Sequence, residues 1–140
     1  MIATSARKIF VNLPVKNLKR SVDFFTKLGF TFNPQFTDEH ATCMILSDEG
    51  YVMLLEEARF KDFTKKQISD TSGSTEAIFA LSCVSREEVD EMVNTALESG
   101  GTPALPNTDM GFMYSGSFYD LDGHHWEVFW MDTNHVMPQE

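Results

Sequence analysis

Ser117-Phe118-Tyr119-Asp120-Leu121-Asp122-Gly123-His124-His125-Trp126-Glu127-Val128-Phe129-Trp130 reads as strand, tight turn, strand. Asp120, Asp122 and Gly123 are turn formers, since aspartate bonds its own backbone and glycine accepts positive φ. Strand side chains alternate between faces. His125, Glu127 and Phe129 therefore share one face, and Trp126, Val128 and Trp130 share the other. The alternation sets one carboxylate among large rings. If its face lines a cavity, Glu127 is the leading functional candidate; the plainer reading is a half-exposed strand glutamate paired with a neighbour.

The residues ahead of this hairpin complete a unit. Residues 77–84 read as a strand, and Ser85 with Glu88 forms a capping box. Val89, Met92, Val93, Ala96 and Leu97 give a helical stripe, closed by Gly100-Gly101. Strands are expected at 102–105, 111–119 and 124–130, with a loop at 107–109. The first half follows the same plan. Residues 8–15 form a strand with Phe10, Asn12 and Pro14 on one face, and Pro14 marks an edge or an end. Asn17 caps a helix with Leu18, Val22, Phe24, Phe25 and Leu28 on its apolar stripe, and Gly29 ends it. Strands follow at 30–36, 40–46 and 51–55.

Ile9-Phe10…Val15 recurs as Ile78-Phe79…Val84, each time followed by capped helix, glycine and three strands. A repeat this long predicts two similar βαβββ modules in one domain, at 8–56 and 77–131. Residues 57–76 join them. Their first part, with Phe60 and Phe63, suits a short helix or a flap, and their second part is a Ser/Thr/Gly linker.

A net charge of −10 argues against nucleic acid and anionic membrane surfaces as partners. Cys43 and Cys83 lie in apolar runs without zinc-site spacing and read as buried free thiols. Residues 1–8 lack the apolar core of a signal peptide, no run is long enough to span a membrane, and residues 134–140 form a polar tail. A cytoplasmic location is expected, which fits the low cysteine use.

With these features in order, the chain resembles the vicinal oxygen chelate superfamily: glyoxalases, extradiol dioxygenases, and fosfomycin and bleomycin resistance proteins. LPVKNLKRSVDFFTKLGF (13–30), the second strand–helix unit and YDLDGHHWEVFW (119–130) carry the resemblance. Leu121 stands where the family's last motif has proline. The resemblance implies an α+β fold in which two βαβββ modules form a half-open mixed β-barrel around a central cavity, in a homodimer. It also implies a divalent metal held from the first and fourth strands of each module. Those positions fall here on Phe10, on Leu54, on Ile78 or Phe79, and on Glu127, so only Glu127 offers a donor. No cofactor is expected, and the usual metal site looks lost. A weaker oxygen set of Asn12, Glu56 and Glu127 is the remaining alternative.

Three functions follow. The first is a metal-independent binding protein for an aromatic or cationic small molecule, with Phe10, Asn12, Leu54, Glu56, Tyr114 and Phe129 as ligand contacts. The second is an enzyme without a metal, using Glu127 as acid or base beside His125 or Tyr114. The third is a conventional metal-dependent lyase or dioxygenase.

Overall fold

The structure is a computed structural model that describes residues 7–134. The amino-terminal segment and the polar tail lie outside these residues, except for Arg7, Lys8 and Asn134. The chain divides into two compact units, Met1–Ser69 and Asp70–Glu140. No helix of the described residues is long and apolar enough to cross a membrane.

The first unit holds β1 (Ile9–Val15), α1 (Leu18–Lys27), β2 (Thr31–Asn33), β3 (Ala41–Ile45), β4 (Gly50–Glu56) and the short α2 (Glu57–Phe60). Its sheet runs β1-β4-β3-β2, with β1 parallel to β4 and the other pairs antiparallel. Pro14 is accommodated because β1 is an edge strand. Asn17 caps α1 by accepting from the Arg20 N–H at 3.0 Å. At the other end the Phe30 N–H reaches the Phe25 carbonyl and the Gly29 N–H reaches Thr26, with Gly29 at φ +100°. Phe25 and Phe30 also pack edge to face across this stop, as such a cap favours. Phe24 and Phe25 are 2% and 1% exposed. Truncating either to alanine would cost about 3–5 kcal/mol.

The second unit holds β5 (Ile78–Ser82), α3 (Arg86–Glu98), β6 (Thr102–Pro103), β7 (Thr108–Asp109), β8 (Met113–Tyr119) and β9 (His125–Met131). Its sheet runs β5-β9-β8-β6, again with first and last strands parallel, and β7 also pairs with β8. The topology of the first unit is thus repeated, which establishes the α+β class and two sheets of the expected pattern. α3 lies close to its sheet at Gly116, where a β-carbon would come within 2.7 Å of Val93 Cγ2.

Several local expectations are revised. The strand expected over 30–36 stops at Asn33, because Asn33 Oδ1 accepts from the Gln35 N–H and Pro34 opens a 3₁₀ turn, Pro34–Phe36. Thr108 and Asp109, read as loop, pair with Ser115 and Tyr114. The strand expected at 102–105 keeps only Thr102–Pro103. The cap of α3 is reciprocal, but Glu88 reaches one residue further back than the usual box. Ser85 Oγ accepts from the Glu88 N–H, and Glu88 Oε1 accepts from the Val84 N–H at 2.7 Å.

Candidate functional site

The turn between β8 and β9 is built around Asp120, which is 5% exposed. One carboxylate oxygen accepts the N–H groups of Asp122 and His124, and the other accepts the Trp126 indole N–H at 2.8 Å. Burial pushes the Asp120 carboxyl above its ordinary pKa; His124 and these donors pull the other way. His124, 1% exposed, has its Nδ1 3.0 Å from Glu76 Oε1. The Thr71 hydroxyl donates to the Asp122 carbonyl. Residues 71–76 are thereby fastened to the turn, and the start of β9 is fixed.

Register then assigns the faces. Gly116 approaches α3 and pairs with Val128, so Phe118, Trp126 and Val128 lie on the α3 side, where all three are buried. Glu127 lies on the opposite, helix-free face, as the alternation predicts. Its neighbours across the sheet are Ala80 on β5 and Ser117 on β8. Phe129 lies next on that face, between Ser82 and Ser115. On the other side of Glu127 comes His125, between Ile78 and Tyr119. The Glu127 carboxylate has no hydrogen bond or ion pair among the described residues. His125 is 9% exposed, touches the Tyr119 ring edge to face at 5.2 Å, and has no hydrogen bond to its ring nitrogens among the described residues. Phe129 stacks on no other ring among them. None of the residues that β5, β8 and β9 place on this face is Lys or Arg.

The first unit presents a different surface. Phe10 and Tyr51 are register partners whose rings stack at 4.7 Å, and Asn12 and Met53 continue the same face. Phe10 is 43% exposed, and Asn12 Nδ2 donates to the Phe10 carbonyl.

Three sequence candidates leave the set. Leu54 pairs with Leu13 on the opposite face from Phe10 and is fully buried in the core. On β4 the residues that share the Phe10 face are Tyr51, Met53 and Leu55. Glu56 also points to the Leu54 side, where Oε2 accepts the Leu18 N–H at the start of α1 and Oε1 lies 2.7 Å from His40 Nδ1. The His40 contact, then the Leu18 N–H, hold Glu56 below the usual carboxylate pKa, and Glu56 raises that of His40. Glu56 is a helix-capping group, and it cannot join Asn12 in an oxygen set because the two occupy opposite faces of one sheet. Tyr114 pairs with Trp130 on the α3 side; its hydroxyl donates to Asp90, and Arg86 lies over both rings. Its hydroxyl pKa rises because of Asp90. The Ile78/Phe79 ambiguity also closes, since Ile78 is the residue on the Glu127 face.

The small flanking residues were not singled out from the sequence. Their signal was there: Ala80 and Ser82, like Ser115 and Ser117, are small residues two apart in strands otherwise rich in bulky side chains.

Residues 9–128 match the family model described as Glyoxalase/Bleomycin resistance protein/Dioxygenase superfamily. Among solved structures, a hypothetical protein from S. aureus is 27% identical, with TM-score 0.75 over 92% of this chain and 94% of that one. A glyoxalase-related enzyme from Fulvimarina pelagi is 17% identical, with TM-score 0.75 over 99% and 94%. A fosfomycin resistance protein from Listeria monocytogenes is 20% identical, with TM-score 0.62 over 93% and 94%. The last two likenesses are of fold alone. No protein of curated function matches the sequence.

Proposed function

The chain belongs to the glyoxalase/bleomycin resistance protein/dioxygenase superfamily, and from that premise we propose that it is a metal-independent small-molecule binding protein anchored by Glu127. The observation that carries this reading is a carboxylate without a partner among the described residues, on a helix-free face whose strand residues include no cation. A divalent ion would need three or four converging donors. Phe10, the β4 positions on its face and Ile78 supply none. Among the described residues no group of three or more His, Cys, Asp or Glu could hold a metal. His125 raises the donors near Glu127 only to two. The residues present do not fit the metal that the superfamily implies.

Glu127 is then available to a ligand. A cation there meets the carboxylate with no competing Lys or Arg from these strands, whereas an anion meets repulsion. Phe129, two residues along, offers a ring face to the same ligand. A second reading, with Glu127 as acid or base in a lyase-like or dioxygenase-like reaction, draws on His125 beside it. A pH–rate profile on a turned-over substrate would favour that reading over binding alone.

The test is calorimetric titration of chelator-treated protein with Ni²⁺, Zn²⁺ and Mn²⁺. No stoichiometric binding is expected. Stoichiometric binding tighter than about micromolar, abolished by Glu127→Gln, would overturn metal independence.

A further inference from the structure

We propose that the ligand is an elongated amine with an aromatic group on one arm and a hydrogen-bonding group on the other, lying along β9 between Phe129 and His125. This rests on the reading of Glu127 as a cation anchor and adds what flanks the cation. His125, Glu127 and Phe129 follow one another along one face of β9, with the carboxylate in the middle. Alternate strand residues are about 6.7 Å apart. A ring resting on Phe129 and an ammonium at Glu127 are then joined by about two or three carbons.

The neighbouring strands leave this line clear. Glu127 is flanked by Ala80 and Ser117, and Phe129 by Ser82 and Ser115. Ser117 Oγ is engaged with Leu105 in both directions, accepting its N–H at 3.0 Å and donating to its carbonyl at 3.4 Å, and does not compete for the carboxylate. At the far end Ile78 and Tyr119 rise on either side of His125. The imidazole is the second, independent sign of a ligand. The residue is nine-tenths buried, yet its ring nitrogens have no hydrogen bond among the described residues and keep contact with solvent, so their partner can come from water or from a ligand group that reaches them. A hydroxyl or carbonyl on the second arm of the amine supplies one. Phe129 adds a ring face that pairs with no other ring among the described residues, unlike Phe79 in the same sheet, which packs on Trp126.

The full-length protein is titrated by calorimetry with 3-phenylpropylamine, n-hexylamine, 4-phenylbutyrate and 2-(3-phenylpropylamino)ethanol. The aryl amine should bind roughly fivefold tighter than hexylamine, the gain a ring contact gives. The hydroxyl arm should add roughly another fivefold, and the anion should not bind. Phe129→Leu keeps the bulk of the side chain and should erase the preference for the aryl amine while leaving amine binding. His125→Phe should erase the gain from the hydroxyl arm. If hexylamine matches 3-phenylpropylamine, or the aryl preference survives Phe129→Leu, the layout along β9 is wrong while the cation anchor stands. If no amine binds, both fall.

Discussion

Replacing Gly123 by alanine puts a β-carbon where the fold has no room for one. Gly123 has φ +84°, a region that costs an L-residue about 1 kcal/mol or more. The added carbon would lie 2.8 Å from the Thr71 carbonyl oxygen, 3.0 Å from its hydroxyl and 3.2 Å from its β-carbon. The nearest atom is backbone, so the strain cannot be relieved by turning a flexible side chain. Thr71 is itself held to the turn through the Asp122 carbonyl. Overpacking of this kind costs about 1–3 kcal/mol. The two effects together give about 2–4 kcal/mol, a fall in Tm on the order of 10 °C. Urea and thermal denaturation of Gly123→Ala beside the wild type measure this. Gly123→Asn is the informative companion, because asparagine tolerates positive φ but keeps the β-carbon; it should recover only part of the loss. A Gly123→Ala protein within about 0.5 kcal/mol of wild type would refute both the turn conformation and the contact with Thr71.

Asp120→Ala strands three N–H groups, including the Trp126 indole, and should cost about 3 kcal/mol or more in urea denaturation. Glu127→Gln removes no protein hydrogen bond and should leave Tm unchanged to within about 2 °C; a large loss would mean that the carboxylate has a structural partner. The His40–Glu56 pair should stabilise most between about pH 4.5 and 6.5. The lowered Glu56 pKa makes its contribution fade as pH falls below that window, and the raised His40 pKa makes its contribution fade as pH rises above it. His40→Gln should flatten the pH dependence of Tm at both ends, and an unchanged profile would discount the pair. A homodimer is expected by light scattering, at twice the 15.9 kDa chain mass, and a monomer mass at micromolar concentration would contradict it.

Much of the fold was legible because its signals are local. Asn17, Ser85, Gly29 and Gly100 mark helix ends by chemistry that acts within one turn, and the alternation at 125–130 places Glu127 correctly on its own strand. The errors lie where two segments must be matched. The parity of β4 against β1 is set by register, and a one-residue slip exchanges every face. That moved Leu54 into the core and put Tyr51, Met53 and Leu55 on the Phe10 face. Tyr114 was misplaced for the same reason, since its pairing with Trp130 puts it under α3. Glu56 could not be read from its neighbours at all, because its partner is the amide of Leu18, 38 residues away. The lack of a partner for His125 and the low flanks of Glu127 are likewise products of pairing, visible only once β5, β8 and β9 lie side by side.

Amide NMR shift mapping of chelator-treated protein with 3-phenylpropylamine tests metal-free binding at Glu127 most directly. Shifts should concentrate on β5, β8 and β9 around Glu127, persist without metal, and vanish in a folded Glu127→Gln protein. Shifts that need an added divalent ion, or that survive unchanged in Glu127→Gln, would contradict it.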